Sequence, residues 1–203
     1  MKRGALIVFE GIDGCGKSTQ LQRAAGTLRA RGLDPIVTRE PTEGRWGRRI
    51  REMARSGEPL APETELAWFF EDRREHMREV VEPALAAGRL VLSDRSYVST
   101  VAYQGARGLD AGRILADSEA EFVKPALILL FEIPPRQAAE RIEARGGARE
   151  PVFENLPFQE RVAAHFAELE IDGLVRIDAT RDEDAIEQDV RRAIDALLER
   201  LGD

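Results

Sequence analysis

The stretch that constrains this chain most is residues 11–19, Gly-Ile-Asp-Gly-Cys-Gly-Lys-Ser-Thr. It matches the phosphate-loop pattern G-x-x-x-x-G-K-[ST] at every fixed position. Glycines let successive backbone N–H groups turn toward an anion, the lysine can reach the β- and γ-phosphates, and the serine hydroxyl can ligate Mg²⁺. The motif therefore predicts a site for nucleotide phosphates, formed by Gly11, Ile12, Asp13, Gly14, Cys15, Gly16, Lys17, Ser18 and Thr19.

The segments on either side of this loop predict the fold. An apolar run at residues 5–9 is typical of a strand buried on both faces of a parallel sheet, and residues 20–31 carry a helical pattern that ends at Gly32. Further strands are predicted at 34–38, 90–92, 125–131 and 174–177, alternating with helices at 45–55, 62–87, from 136, at 155–169 and at 181–201. This alternation predicts a P-loop NTPase fold, a three-layer α/β/α domain with a five-stranded parallel sheet.

Composition narrows the class of protein. The chain has 203 residues with a formal net charge of −7, which fits one domain over residues 1–203 and argues against a general binder of nucleic acid or of membrane surfaces. The only cysteine, Cys15, has no partner for an internal disulfide. No apolar run approaches the roughly 18 residues of a membrane span. We therefore expect a cytoplasmic domain without nucleic-acid or membrane partners.

Charged residues follow two of the predicted strands. Arg39 comes after the second strand, where ligands bind in open α/β sheets. Asp94 and Arg95 follow the third strand. Asp94 has two interpretations, a carboxylate that organises Mg²⁺ or an N-cap of the next helix, while Arg95 can hold a phosphate bidentately. For Arg48, Arg49 and Arg51 in the helix at 45–55, a solvated helix face is favoured.

The helix predicted at 62–87 offers a candidate nucleobase site. Phe69 and Arg73 lie four residues apart and hence on one face, so a base could stack on the ring and accept hydrogen bonds from the guanidinium. Periodicity alone favours the alternative, in which the aromatic residues belong to the core. Tyr103 and Gln104, after the third strand, offer a second ring and an amide.

Residues 141–152 are predicted to form a short lid. Arg141, Arg145 and Arg149 recur every four residues, and a pair of glycines separates the last two. A lid of this kind can close over a nucleotide and place a guanidinium on the transferring phosphoryl group. Ordinary surface arginines on a helix and loop explain the same spacing equally well.

Taken together, these motifs resemble the thymidylate kinase family, from about residue 4 to about residue 180. The resemblance rests on residues 9–19, on Arg-Glu-Pro at 39–41, on Phe69 with Asp72-Arg73 and His76, and on Asp94-Arg95 followed by Ser99-Thr-x-Ala-Tyr-Gln-Gly105. It implies a homodimeric enzyme that transfers the γ-phosphoryl group of ATP to dTMP with Mg²⁺.

The resemblance also implies residue roles. Catalysis is expected to depend on Lys17, Asp94, Arg95 and Arg149, with Ser18 and Asp94 at the metal and Arg145 beside the ATP. Phe69 should stack on thymine, Arg73 should bind its carbonyl edge and Gln104 should contact the base. Asp13 should reach the sugar 3′-hydroxyl, and Tyr103 should crowd the 2′ position. The remaining predicted contacts to the acceptor nucleotide and its phosphate come from Glu10, Arg39, Arg95 and Ser99.

Several positions depart from the pattern of the family. Gly14 stands where some members carry a basic residue in the loop, which assigns that function to the lid and favours Arg149 over Arg145. Thr42 and Glu43 replace two glycines, Ser96 replaces an aromatic residue or histidine, and Ala148 replaces an acid. Two alternatives stay open: a related phosphate-loop kinase for another nucleotide or nucleoside, and a regulatory protein that binds ATP without transferring phosphate.

Overall fold

The computed structural model describes residues 4–146 and 151–202, and of Arg145 only the backbone. A sheet of five parallel strands lies at its centre, in the spatial order β2-β3-β1-β4-β5. This is the predicted P-loop NTPase arrangement, with helices on both sides of the sheet. The strands are β1 (Ala5–Glu10), β2 (Ile36–Arg39), β3 (Leu90–Asp94), β4 (Leu127–Glu132) and β5 (Leu174–Asp178).

The helices alternate with these strands. Three differ from the prediction: the helix expected at 62–87 is divided by a π-helical turn at Met77–Val81, α5 was expected only as a helix that Asp94 could cap, and α6 was not predicted at all. The signal for α6 was Asp110, whose side chain caps the helix by accepting from the backbone N–H of Arg113. The helices are α1 (Lys17–Ala30), α2 (Arg45–Ser56), α3 (Pro62–His76), α4 (Glu82–Ala86), α5 (Tyr97–Ala106), α6 (Ala111–Glu121), α7 (Pro135–Arg145), α8 (Leu156–Ala167) and α9 (Glu183–Gly202).

The order of the strands determines where ligands can bind. β1 lies in the middle, hydrogen-bonded to β3 on one side and β4 on the other, and all six of its residues are buried. Phe9 of β1 and Arg39 of β2 both stand opposite Asp94 of β3, so the carboxyl ends of three neighbouring strands meet at one edge. In parallel sheets this edge is where ligands bind.

Local sequence explains how the elements around the sheet end. Gly32 adopts φ +78° just after α1, and Gly88 adopts φ +72° just after α4, as expected of glycines that terminate helices. Pro62 starts α3, where the missing N–H of proline costs nothing. Of the helices described, none is both long and apolar enough to cross a membrane.

Candidate active site

The loop between β1 and α1 has the backbone geometry that the motif predicts. Gly11, Gly14 and Gly16 adopt φ of +138°, +83° and +92°, a region that side chains disfavour. A Cβ at Gly11 would lie 2.6 Å from the carbonyl oxygen of Phe131, and one at Gly14 would lie 2.4 Å from that of Ala138. These two glycines are therefore required by close backbone approach as well as by φ.

Lys17 lies folded against this loop. Its Nζ donates to the carbonyl oxygen of Ile12 at 3.3 Å and lies 3.6 Å from Asp13 Oδ1. Cys15 is buried beside it, and burial raises the pKa of its thiol although the Lys17 charge opposes this effect. The thiol therefore acts as a small filler of the loop rather than as a reactive group.

The Ser18 hydroxyl at the start of α1 donates to Oδ2 of Asp94 at the end of β3. A hydroxyl and a carboxylate that meet at the phosphate loop form an all-oxygen donor set, which fits Mg²⁺. Within the described ranges, no group of three or more His, Cys, Asp or Glu side chains is arranged to hold a metal. A cation at Ser18 and Asp94 would therefore complete its coordination with phosphate oxygens and water.

Asp94 does not cap the helix that follows, which was its alternative interpretation. The N-cap of α5 is Ser96, whose Oγ accepts from the backbone N–H of Val98 at 3.2 Å. Between them, Arg95 adopts φ +77°, the only non-glycine residue described with a positive φ. A strained backbone at the tip of a central strand is typical of functional positions.

The Arg95 side chain connects the phosphate loop to α5. Nη1 donates to the Gly11 carbonyl oxygen at 3.1 Å and to Ser99 Oγ at 2.8 Å. Nη2 donates to Asp13 Oδ1 at 2.6 Å and to the Tyr103 hydroxyl at 3.0 Å, and the guanidinium carbon lies 4.9 Å from the centre of the Tyr103 ring. The structure thus brings together four of the predicted site residues, with Arg95 at their centre.

Asp13 is held as a carboxylate in this cluster. Burial raises its pKa, but the charges of Arg95 and Lys17 outweigh burial and leave the pKa well below its usual range. The Tyr103 hydroxyl donates to Oδ2 at 3.0 Å, and Gln159 Nε2 lies 3.4 Å from the same oxygen. Gln159 was not predicted; it comes from α8, and sequence spacing gave no indication that α8 reaches the loop.

A cleft opens beside Arg95. The predicted residues Asp13, Phe69, Arg73, Ser99 and Tyr103 line it. Its other walls include side chains that sequence reasoning missed, namely Arg51, Thr100 and Phe153.

Arg51 is not part of a solvated helix face, contrary to the sequence interpretation. Its side chain is 14% exposed, Nη1 donates to the Pro41 carbonyl oxygen at 2.8 Å and Nη2 to Glu43 Oε2 at 2.7 Å. Arg39, predicted to grip the acceptor phosphate, is 60% exposed and pairs with the same Glu43. It lines a neighbouring groove with Ser18 and Asp94 instead of the cleft.

Arg73 enters the cleft from α3 with most of its donors engaged. Nε and Nη2 donate to Glu40 Oε2 at 2.9 and 2.6 Å, and Nη2 also donates to Thr100 Oγ1 at 2.9 Å. Nη1 is buried and has no hydrogen-bond partner among the described residues. This donor is therefore available to an acceptor on a bound ligand.

The carboxylate of Glu40 contacts two side chains of α3, Arg73 and His76. Its Oε1 lies 2.9 Å from His76 Nδ1, and His76 Nε2 lies 2.7 Å from Thr38 Oγ1. Burial raises the pKa of Glu40, but Arg73 and His76 outweigh it and the pKa is lowered. Glu40 is therefore charged at neutral pH and fixes Arg73 in place.

Two predicted substrate contacts lie behind the cleft wall. Glu10 is completely buried, accepts from Ser96 Oγ at 2.7 Å and Ser99 Oγ at 2.5 Å, and is not among the residues that line the cleft. Burial raises its pKa to about 7. Gln104 is also completely buried, and its Nε2 donates to Glu65 Oε1 at 2.7 Å. Neither side chain is among the residues that line the cleft, and Gln104 Oε1 has no hydrogen-bond partner among the described residues.

Of the predicted lid, the structure describes only the ends. α7 continues as a helix to Arg145, and Gly146 follows it with φ +65°. Arg149 and Ala148 lie outside the described residues, and the side chain of Arg145 is not described. The roles predicted for the two arginines therefore stay predictions.

Known proteins resemble the chain over nearly its whole length. The family model described as Thymidylate kinase matches residues 9–190. A thymidylate kinase of Desulfotalea psychrophila is 39% identical over 195 residues, which cover 96% of each chain. One of Akkermansia muciniphila is 41% identical over 95% of this chain and 92% of its own, and one of Xanthomonas campestris is 40% identical over 96% and 85%.

Proposed function

The chain belongs to the thymidylate kinase family, whose reaction is the phosphorylation of dTMP to dTDP, and we propose that it carries out this reaction with ATP at the site around Arg95. The observation that supports this site most strongly is the set of hydrogen bonds from one guanidinium to Gly11, Asp13, Ser99 and Tyr103. They support a position for Arg95 between the phosphate loop and the aromatic cleft, where this proposal has the phosphoryl group transferred.

The donor side is the phosphate loop. Backbone N–H groups of residues 11–19 and the positive end of α1 would hold the phosphates of ATP, and Lys17 would move from Asp13 and Ile12 to the β- and γ-phosphates. Ser18 and Asp94 would hold Mg²⁺, which neutralises charge on the phosphates when bound. The contact between these two side chains supports a shared role.

The acceptor side is the cleft. Thymine would stack on Phe69, and the free Nη1 of Arg73 would donate to a carbonyl of the base. Asp13 would accept from the sugar 3′-hydroxyl, while the Tyr103 ring would exclude a 2′-hydroxyl. Arg51 and Arg95, which both line the cleft, would bind the monophosphate.

Arg39 has a different place in this proposal from the one that the sequence suggested. It lies near Ser18 and Asp94 in the neighbouring groove, so any contact with phosphate would come from the donor and metal side. Ser99 would contribute by accepting a hydrogen bond from Arg95 rather than by a separate contact to the nucleotide. Glu10 would orient Ser96 and Ser99 by accepting a hydrogen bond from each of their hydroxyls.

No general base is required for the transfer. The acceptor phosphate is an anion and already a nucleophile, so the chain's residues need only align it with the γ-phosphorus and neutralise the charge that spreads over the transferring group. Arg95 and Lys17 are placed to do so. We propose that Arg149, or else Arg145, adds a further guanidinium from a lid at residues 141–152.

We further propose that the chain is one domain and acts as a homodimer in the cytoplasm, where ATP and nucleoside monophosphates are available. These proposals follow the family resemblance. Sedimentation at several protein concentrations tests the homodimer: a single species of about twice the 22.6 kDa chain is expected, and a monomer at all concentrations would contradict it.

Calorimetric binding without ATP tests the acceptor site. dTMP should bind one molecule per chain. The ribonucleotide of the same base should bind more weakly because of Tyr103, and thymidine more weakly because it lacks the phosphate that meets Arg51 and Arg95. Equal affinity for dTMP and thymidine would contradict the phosphate site, and no binding of dTMP would contradict the proposed cleft.

A further inference from the structure

α3 and α5 each contribute side chains to the wall of the cleft and to the layer behind it. On α3, Glu65, Phe69 and Arg73 recur every four residues and so share one face. On α5, Thr100 and Gln104 share a face in the same way. The faces meet at two hydrogen bonds, Arg73 Nη2 to Thr100 Oγ1 at 2.9 Å and Gln104 Nε2 to Glu65 Oε1 at 2.7 Å. Phe69 lies between these contacts, one turn from each.

The two contacts leave three buried atoms without a hydrogen-bond partner among the described residues, namely Arg73 Nη1, Gln104 Oε1 and Glu65 Oε2. Arg73 keeps a free donor, Nη1, and Gln104 keeps a free acceptor, Oε1. The two side chains are at most 1% exposed, so water does not readily satisfy these atoms. A donor and an acceptor on either side of an aromatic platform match the C=O and N–H of an imide, the edge that thymine presents. They do not match cytosine, which presents the reverse pattern.

The orientation of the Gln104 amide depends on Glu65. A carboxylate only accepts hydrogen bonds, so the amide must turn its NH₂ group to Glu65 and leave its oxygen free. Arg107 favours the charged form of Glu65, because its Nη2 lies 3.6 Å from Oε2. Burial raises the pKa of Glu65, and the Gln104 hydrogen bond and the Arg107 charge oppose that rise.

We propose that Glu65 is a positioning residue that determines base specificity: it fixes the Gln104 amide so that the oxygen, and not the nitrogen, meets the N3–H of the acceptor base. This proposal rests on the proposed function, because it assumes a pyrimidine stacked on Phe69. Glu65 does not line the cleft and acts only through Gln104.

The test compares dTMP with dCMP, whose ring presents an unprotonated N3 and a 4-amino group. In the wild-type protein dCMP should be lower in kcat/KM by about tenfold or more, since its N3 cannot donate to the amide oxygen and leaves it unpaired. In Glu65→Gln, Arg107 attracts the oxygen of the new amide, whose nitrogen then faces Gln104 and turns the Gln104 nitrogen toward the base. dTMP should then lose efficiency, mainly through KM, and the ratio of kcat/KM for dTMP to that for dCMP should fall by about tenfold or more, because the amide nitrogen can donate to N3 of cytosine.

This ratio does not depend on the fraction of folded protein, so a variant that is only less stable keeps the wild-type ratio. Glu63→Gln is the matched control, because it removes the same charge from an exposed position on α3. The double variant Glu65→Gln/Gln104→Glu reverses the pair. The carboxylate at position 104 accepts from the new amide and keeps an oxygen toward the base, so discrimination of about tenfold or more should return.

An unchanged ratio in folded Glu65→Gln would overturn the proposal, as would a ratio in the folded double variant as low as that of Glu65→Gln. If Glu65→Gln does not fold, the double variant alone decides between these results. Failure of the wild-type protein to phosphorylate dTMP would overturn the proposed function instead, so the two failures are distinguishable.

Discussion

Arg73 Nη2 lies 2.6 Å from Glu40 Oε2, and the two side chains are 1% and 4% exposed. A buried ion pair of this kind is costly to break from one side, because the remaining charge keeps its burial and loses its partner. Here the arginine is also the donor proposed for the base. The stability of the fold and the shape of the acceptor site therefore depend on the same contact.

Glu40→Gln should reveal this dependence. The substitution keeps the size of the side chain and removes the charge, so the free energy of unfolding should fall by about 3–5 kcal/mol, and the KM for dTMP should rise more than that for ATP. Urea unfolding measures the first effect and steady-state kinetics the second. Glu71→Gln, which affects only a surface pair with Arg74, should change stability by less than about 1 kcal/mol. Equal stability of the two variants would contradict the account.

Arg51 and Arg48 form a matched pair on α2. Arg51 lines the cleft, whereas Arg48 is exposed and donates to the backbone oxygen of Glu43 at 2.7 Å. Arg51→Ala should raise the KM for dTMP by about 10- to 100-fold through a lost charged hydrogen bond to phosphate, with the KM for ATP unchanged. Arg48→Ala should leave both within about twofold. Similar dTMP kinetics in the two variants would show that Arg51 does not bind the acceptor.

Gly14 and Gly26 should respond to alanine in opposite ways. A Cβ at Gly14 would meet the carbonyl oxygen of Ala138 on α7 at 2.4 Å, in a backbone conformation of φ +83°, so the free energy of unfolding should fall by about 2 kcal/mol or more. Gly26 lies in the exposed middle of α1 with no atom near its added Cβ, and alanine should stabilise the protein by about 0.5–1 kcal/mol. Thermal unfolding measures both changes. A neutral Gly14→Ala would contradict the close packing of α7.

This packing gives a physical reason for the loop composition. α7 passes so close to Gly14 that the loop has no room there for an arginine in the same arrangement. A basic residue that acts on the transferring phosphate must therefore come from elsewhere, as proposed for the lid.

Glu10 should give the protein a stability that depends on pH. Burial raises its folded pKa to about 7 from 4.5, so the folded state binds the proton more tightly than the unfolded chain. The stabilisation is complete below about pH 4.5 and is lost as the pH rises through about 7. Between pH 5 and 8 the free energy of unfolding should therefore fall by about 2–3 kcal/mol more in the wild-type protein than in Glu10→Gln. Parallel curves from denaturant titrations at each pH would contradict this assignment.

The sequence predicted the elements whose evidence is local. The phosphate loop, the buried runs of β1 and β4, and the spacing of Phe69 and Arg73 are all properties of neighbouring residues. Together with the alternation of strands and helices, they were sufficient to predict the fold and several of the residues that the structure brings together around Arg95.

The features that the sequence did not predict depend on contacts across the chain. The sequence does not distinguish Arg51 from other surface arginines, because only the packing of α2 brings this side chain to the cleft. Gln159 and Phe153 reach the site from the segment after the lid. The hydrogen bond between Gln104 and Glu65 forms only because α5 packs against α3. The N-cap lies at Ser96 rather than at Asp94, and Arg95 between them adopts a positive φ. The sequence gives no indication of this backbone conformation.

The central claim is that the cleft selects dTMP for phosphoryl transfer from ATP. The most direct test is ADP release in the presence of ATP and Mg²⁺, with dTMP, dUMP, the ribonucleotide of thymine, CMP and thymidine as acceptors. We predict fast turnover with dTMP, slower turnover with dUMP and little with the others. Fast turnover with CMP or with the ribonucleotide, or none with dTMP, would contradict the roles of Arg73 and Tyr103 and with them the account of the site.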